Sequence, residues 1–112
     1  VARTAKRIIA GSQLTTSAAT YYTTPALTTC IIRKLTFVNT TGGAVTVTAH
    51  LIPSGGAAGA TNTIASAKSL AAGEAWSCSD AEGQVLEAAG FVQALASANT
   101  SITVIASGIE IT

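Results

Sequence analysis

Aromatic rings are the first shortage: one Trp, two Tyr and two Phe in 112 residues. A carbohydrate-binding cleft would have only Tyr21, Tyr22 and Trp76 to stack against a sugar, which makes it the weakest functional reading. Histidine is scarcer still. His50 is the only one and Asp80 the only aspartate. A Ser/His/Asp triad would need both, and no serine sits in a nucleophile-elbow pattern. His50 therefore reads as a surface or interface residue. Glu74, Glu82, Glu87 and Glu110 are isolated in sequence and read as solvated charges. No catalytic residue is assigned, and the chain is expected not to be an enzyme.

Cysteine is limited to Cys30 and Cys78, far apart and in no CxxC or Cys/His cluster. Two buried thiols are expected, with no metal site and no cofactor. The glycines at 55, 56 and 59 lack the Lys-Ser/Thr ending of a phosphate loop. Apolar runs are short and interrupted, so no membrane span or signal peptide is expected, and synthesis and folding are placed in the cytoplasm.

Alanine is abundant, at 23 residues, against 24 for Val, Ile and Leu together. Alanine buries little area, so the core should be thin and a partner surface would complete it. Ser and Thr number 28, which favours strands and turns. Charge is nearly balanced at +1, but it is segregated. Arg3, Lys6 and Arg7 fall within the first seven residues, and all five acids lie from Glu74 onward. A positive arm on a mildly acidic body suggests a segment that docks elsewhere. Three bases are too weak a footprint for nucleic acid to be the expected partner.

The stretch from Cys30 to Pro53 reads as a hairpin. Ile31–Val38 is rich in β-branched and aromatic residues, Thr40-Thr41-Gly42-Gly43 supplies turn glycines, and Val45, Val47, Ala49 and Leu51 alternate with Thr46, Thr48, His50 and Ile52. Arg33 and Lys34 confuse the alternation of the first strand and leave both of its faces open as the buried one. Further short strands are expected at 20–23, 61–70, 75–79, 91–97 and 101–112. Gln84–Ala88 is either a strand or a helical turn, and Gly108 marks a bulge in the last strand. Tyr21 and Tyr22 cannot both face inward from one regular strand, so one should meet solvent or a partner. The expected core is Leu35, Phe37, Val45, Val47, Leu51, Trp76, Leu95 and Val104.

The predicted class is all-β: a single-domain antiparallel sandwich or jelly roll of seven to eight strands at 14–112, with an extended N-terminal arm at 1–13. Arg3, Lys6, Arg7, Ile8, Ile9, Tyr21 and Tyr22 are the candidate partner-binding residues.

Several segments carry a resemblance: SQLTTSAATYYTTPALTTCIIRKLTFVNTTGGAVTVTAHLIPSGGAAGATNTI, then KSLAAGEAW, then the closing ASGIEIT. From about residue 13 onward the chain resembles small β-sandwich virion proteins of tailed bacteriophages and prophages. Their pattern runs through a Tyr-Thr-x-Pro element, a strand ending in Asn-Thr, a V-T-V strand leading to P-S-G-G, an S-L-A-A-G-E turn and a final A-S-G-x-E. The resemblance implies a structural component of the particle. The first expectation is a capsid decoration, or cement, protein on the outer capsid surface, binding the major capsid protein and itself a dimer or trimer. The alternative is a tail, collar or baseplate accessory, or a receptor-binding module.

Overall fold

The computed structural model describes residues 2–112; Val1, the start of the expected arm, lies outside them. Nine strands form among the described residues: β1 (Arg3–Gln13), β2 (Ala19–Thr23), β3 (Thr29–Asn39), β4 (Val45–Ile52), β5 (Thr63–Leu70), β6 (Ala75–Ser77), β7 (Val85–Leu86), β8 (Phe91–Ala96) and β9 (Ile102–Ile111). They make the antiparallel sandwich expected from sequence. Its first sheet runs β1-β9-β3-β6, with β7 also paired to β3, and its second runs β2-β8-β4-β5.

The core is built unequally by the two sheets. Cys30, Ile32, Leu35 and Phe37 of β3 and Ile102 and Val104 of β9 give the first sheet its bulk. The second sheet answers with Val45, Val47 and Ala49 of β4 and Val92, Ala94 and Ala96 of β8. The alanines of the second sheet occupy little volume, and the larger residues of the first sheet share one core cluster with them. The two open sides are closed differently. On one, Trp76 of β6 stacks on Phe37 at 5.9 Å, and the Lys68 ammonium of β5 lies 5.5 Å from its ring centroid. On the other, the Tyr22 hydroxyl of β2 donates to Glu110 Oε2 of β9 at 2.6 Å.

The expected hairpin is not one. β3 belongs to the first sheet and β4 to the second, so residues 40–44 cross between layers. Asn39, buried at the end of β3, fixes this crossing. Its Nδ2 donates to Gly43 O at 2.7 Å and Leu70 O at 3.0 Å, and its Oδ1 accepts from Thr41 N at 3.0 Å and Thr41 Oγ1 at 2.7 Å.

Bulges account for the other departures. β3 slips register between Ile32 and Lys34 against β9, so Cys30 and Ile32 face inward before the slip and Leu35 and Phe37 after it. That resolves the Arg33–Lys34 ambiguity. β9 itself is regular: Ile102, Val104, Ala106 and Gly108 are successive buried positions, and the bulge expected at Gly108 sits on its neighbours instead. Gly108 is required for space, because a Cβ there would lie 2.7 Å from Ile31 O.

Residues 3–13, expected as an arm without strand character, pair along β9. Two register shifts hide the alternation and place consecutive Ile8 and Ile9 in the chain's own core. The Leu95 expectation also fails: β8 buries the small set Val92, Ala94 and Ala96 and leaves Leu95 half-exposed. Leu51 and Trp76 are half-buried at the core's margin. His50, expected at the surface or an interface, is buried within the chain under the loop after β4, with Nδ1 3.0 Å from Asn62 Oδ1 and 3.1 Å from Thr63 Oγ1.

Candidate functional site

Alternation along three long strands fixes what the outer face of the first sheet presents. Inward residues of β9 are even-numbered, so Thr103, Ile105, Ser107, Ile109 and Ile111 point away from the core. Antiparallel pairing then builds rows across the sheet. One row joins Arg3, Ile111 and Thr29; the next joins Ala5, Ile109, Ile31 and Val85. Val85 is 53% exposed and Ile105 37%, while Ile31, Ile109 and Ile111 are half-buried. Val85, Ile31, Ile109 and Ile111 form an apolar band on an outer face, where an antiparallel sheet ordinarily turns polar residues to water, and Ile105 lies apart from it beyond Ser107.

Bases border the band. Arg3 and Arg7 are exposed on β1, and Arg33 and Lys34 are exposed at the β3 bulge. A shallow hollow on this face is lined by Ala5, Lys6, Arg33, Ser107, Gly108 and Ile109. Two of the bases have acidic neighbours: Lys6 Nζ is 3.5 Å from Glu110 Oε1, and Lys34 Nζ is 4.0 Å from Glu82 Oε2. Arg3, Arg7 and Arg33 make no ion pair among the described residues.

Glu110 links the outer and inner chemistry. Its side chain is 13% exposed and takes both the Lys6 ammonium and the Tyr22 hydroxyl. Burial, then the hydrogen bond to Glu110, pushes the Tyr22 phenol far above its ordinary range, so it stays a neutral donor. Burial likewise raises the Cys30 and Cys78 thiols, whose sulfurs are free and fully enclosed. Neither is poised as a nucleophile. A second feature is a cleft of about 400 Å³ at one end of the sandwich, lined by Leu51, Ile52, Pro53, Val85, Leu86 and Gly90 among others.

The partner-binding residues read from sequence therefore separate. Arg3, Lys6 and Arg7 sit together on β1, but Ile8 and Ile9 are committed to the core. A register shift at Thr20/Tyr22 packs both tyrosines against the core while leaving each half-exposed. Arg33, Lys34, Ile31, Val85, Ile105 and Ile109 were missed as a surface. The available signal was the interrupted alternation at Arg33–Lys34, the mark of a bulge.

No protein-family model matches the chain, and no curated protein matches it. Among solved structures it is similar to a chain of the disulfide-linked pili of Bacillus endospore appendages, at 19% identity and a TM-score of 0.54, over 98% of this chain and 88% of that one. It also aligns with chains of infectious bursal disease virus, strains Gt and Gx, at 12% and 19% identity and TM-scores of 0.46 and 0.47. There it spans about a third of the other chain, 32% and 31%. The pilus likeness is one of fold.

Proposed function

We propose that this protein is a structural component of a tailed-phage particle, a capsid decoration protein that binds the assembled shell and stabilises contacts between capsomers. The observation that carries the reading is the outer face of the first sheet: an apolar band through Ile31, Ile109 and Ile111, bordered by Arg3, Arg7, Arg33 and Lys34. Such a face suits a large, flat, mildly acidic partner. Apolar area supplies affinity at its centre, and rim bases supply encounter rate and orientation. The sequence pattern shared with small phage virion proteins supports the same role, and the major capsid protein is the proposed partner on the outer surface of the virion. The reading requires no catalytic step.

A second reading, a tail or collar accessory, draws on the fold shared with a chain of disulfide-linked pili. Within this sequence the thiols available to a covalent linkage of that kind, Cys30 and Cys78, are both enclosed. The test of the first reading uses particles lacking the native protein. Arg33→Glu and Ile109→Asp should each fold and should each bind such particles at least about tenfold more weakly than the parent, roughly 1.4 kcal/mol or more. Parent-like occupancy by both would remove the face from the shell contact.

A further inference from the structure

The charge segregation seen in sequence becomes a spatial polarity in the fold. β1 forms one edge of the first sheet, and its outer side pairs with no strand among the described residues. The opposite edge is made by β6, the segment 78–84 and β7 against β3. Cys78 N donates to Leu35 O, Gly83 N donates to Ile32 O, and β7 pairs with Cys30 and Ile31. Arg3, Lys6 and Arg7 lie on the first edge; Asp80, Glu82 and Glu87, all exposed, lie on or beside the second. The two edges are separated by roughly 15 Å, three strand spacings.

The charges are also level with each other along the strand axis. Lys6 pairs with Gly108, which pairs with Ile32, whose carbonyl accepts from Gly83. Ala5 pairs with Ile109, then Ile31, then Val85. A sideways translation of one copy across the sheet therefore brings residues 3–7 of that copy against residues 80–87 of the next. Ala5 then meets the exposed Val85, and Arg3 and Arg7 meet Asp80, Glu82 and Glu87.

We propose that this protein associates with itself head to tail, the basic β1 edge of one copy docking on the acidic 79–87 edge of another. The two patches lie on opposite edges of one sheet, so a two-fold dimer joined edge to edge cannot satisfy both. The contact is heterologous, and it closes into a ring such as a trimer or continues as an open row. This goes beyond the shell-binding reading: it uses the edges of the sheet rather than its face, and it holds wherever on a particle the protein sits. The competing account is that bases on an exposed edge strand only discourage stray strand pairing.

Charge exchange separates the two. Arg3→Glu with Arg7→Glu gives a chain whose two edges are both acidic; Asp80→Lys with Glu82→Lys gives one whose two edges are both basic. All four side chains are exposed, and circular dichroism checks each fold. Sedimentation velocity in about 20 mM salt should find the parent in oligomers that disperse in about 0.5 M salt, where screening is severe. Each variant alone should sediment as a monomer, and an equimolar mixture should regain species containing both, pairs at least, since alternating copies close only even-numbered rings. A monomeric parent at low salt, variants that associate like the parent, or a mixture that stays monomeric would each overturn the proposal.

Discussion

Replacing Asn39 should cost more than replacing any exposed residue of the same size. Its side chain is fully buried and makes four hydrogen bonds, two given and two received, that tie the end of β3 to the crossing at residues 41–43 and to the last carbonyl of β5. In Asn39→Ala all four are lost. Leu70 O loses its side-chain donor in a buried setting, and a cavity opens. At about 0.5–1.5 kcal/mol per bond, with water recovering the exposed Thr41 and Gly43 partners, the net loss should be about 2–4 kcal/mol. That is a large share of the roughly 5–15 kcal/mol expected of a domain this size. Asn39→Asp sharpens the argument. A carboxylate still accepts from Thr41 but directs negative charge at Gly43 O and Leu70 O, so at pH 7 it should be at least as damaging as alanine. Protonation restores one donor, so its deficit should shrink as pH falls toward 4. Urea unfolding followed by the fluorescence of Trp76 reads both variants. An alanine variant within about 0.5 kcal/mol of the parent, or an aspartate variant as stable as the parent at pH 7, would refute the reasoning.

Gly108→Ala should fail to fold or lose at least about 2 kcal/mol, because the added methyl meets the Ile31 carbonyl within the sheet; expression yield and melting temperature check this. Phe37→Ala should cost about 3–5 kcal/mol, and Leu95→Ala on the outer face of β8 under about 1 kcal/mol, in the same urea assay. The Tyr22 phenol and both thiols have folded pKa values above their unfolded ones. The stability they contribute is complete below about pH 9 and is lost as pH rises through the thiol and then the phenol range. Tyr22→Phe should leave a shallower decline above pH 10 than the parent shows, as measured by urea midpoints from pH 8 to 11.

The β class was legible because part of the pattern is regular: in β4, Val45, Val47 and Ala49 point inward and Thr46 and Thr48 outward, until the period breaks where Ala49 and His50 are buried in succession. Sheet membership was not legible. The glycines at 42 and 43 suit either a hairpin or a crossing between layers, and what decides is Asn39 reaching Leu70, 31 residues away in sequence. The first strand was invisible for a different reason. Its bulges bury Ile8 beside Ile9, which destroys the period of two on which the reading depends. The same effect hid the candidate face, since Ile31 and Ile109 look like core residues until the slip at Arg33–Lys34 assigns them to the outside. The basic cluster at 3–7 was legible as charge; its place on a sheet edge level with Asp80 and Glu82 required the register of three strands.

The proposed decorating role on the shell is made through the outer face of the first sheet. Cryo-microscopy of intact particles tests it most directly. A decorating role predicts two-sheet densities in hundreds of copies on the outer capsid surface, with Ile109 and Arg33 turned toward the shell. A dozen or fewer copies confined to the tail, or shell-bound copies with that face turned to solvent, would contradict it.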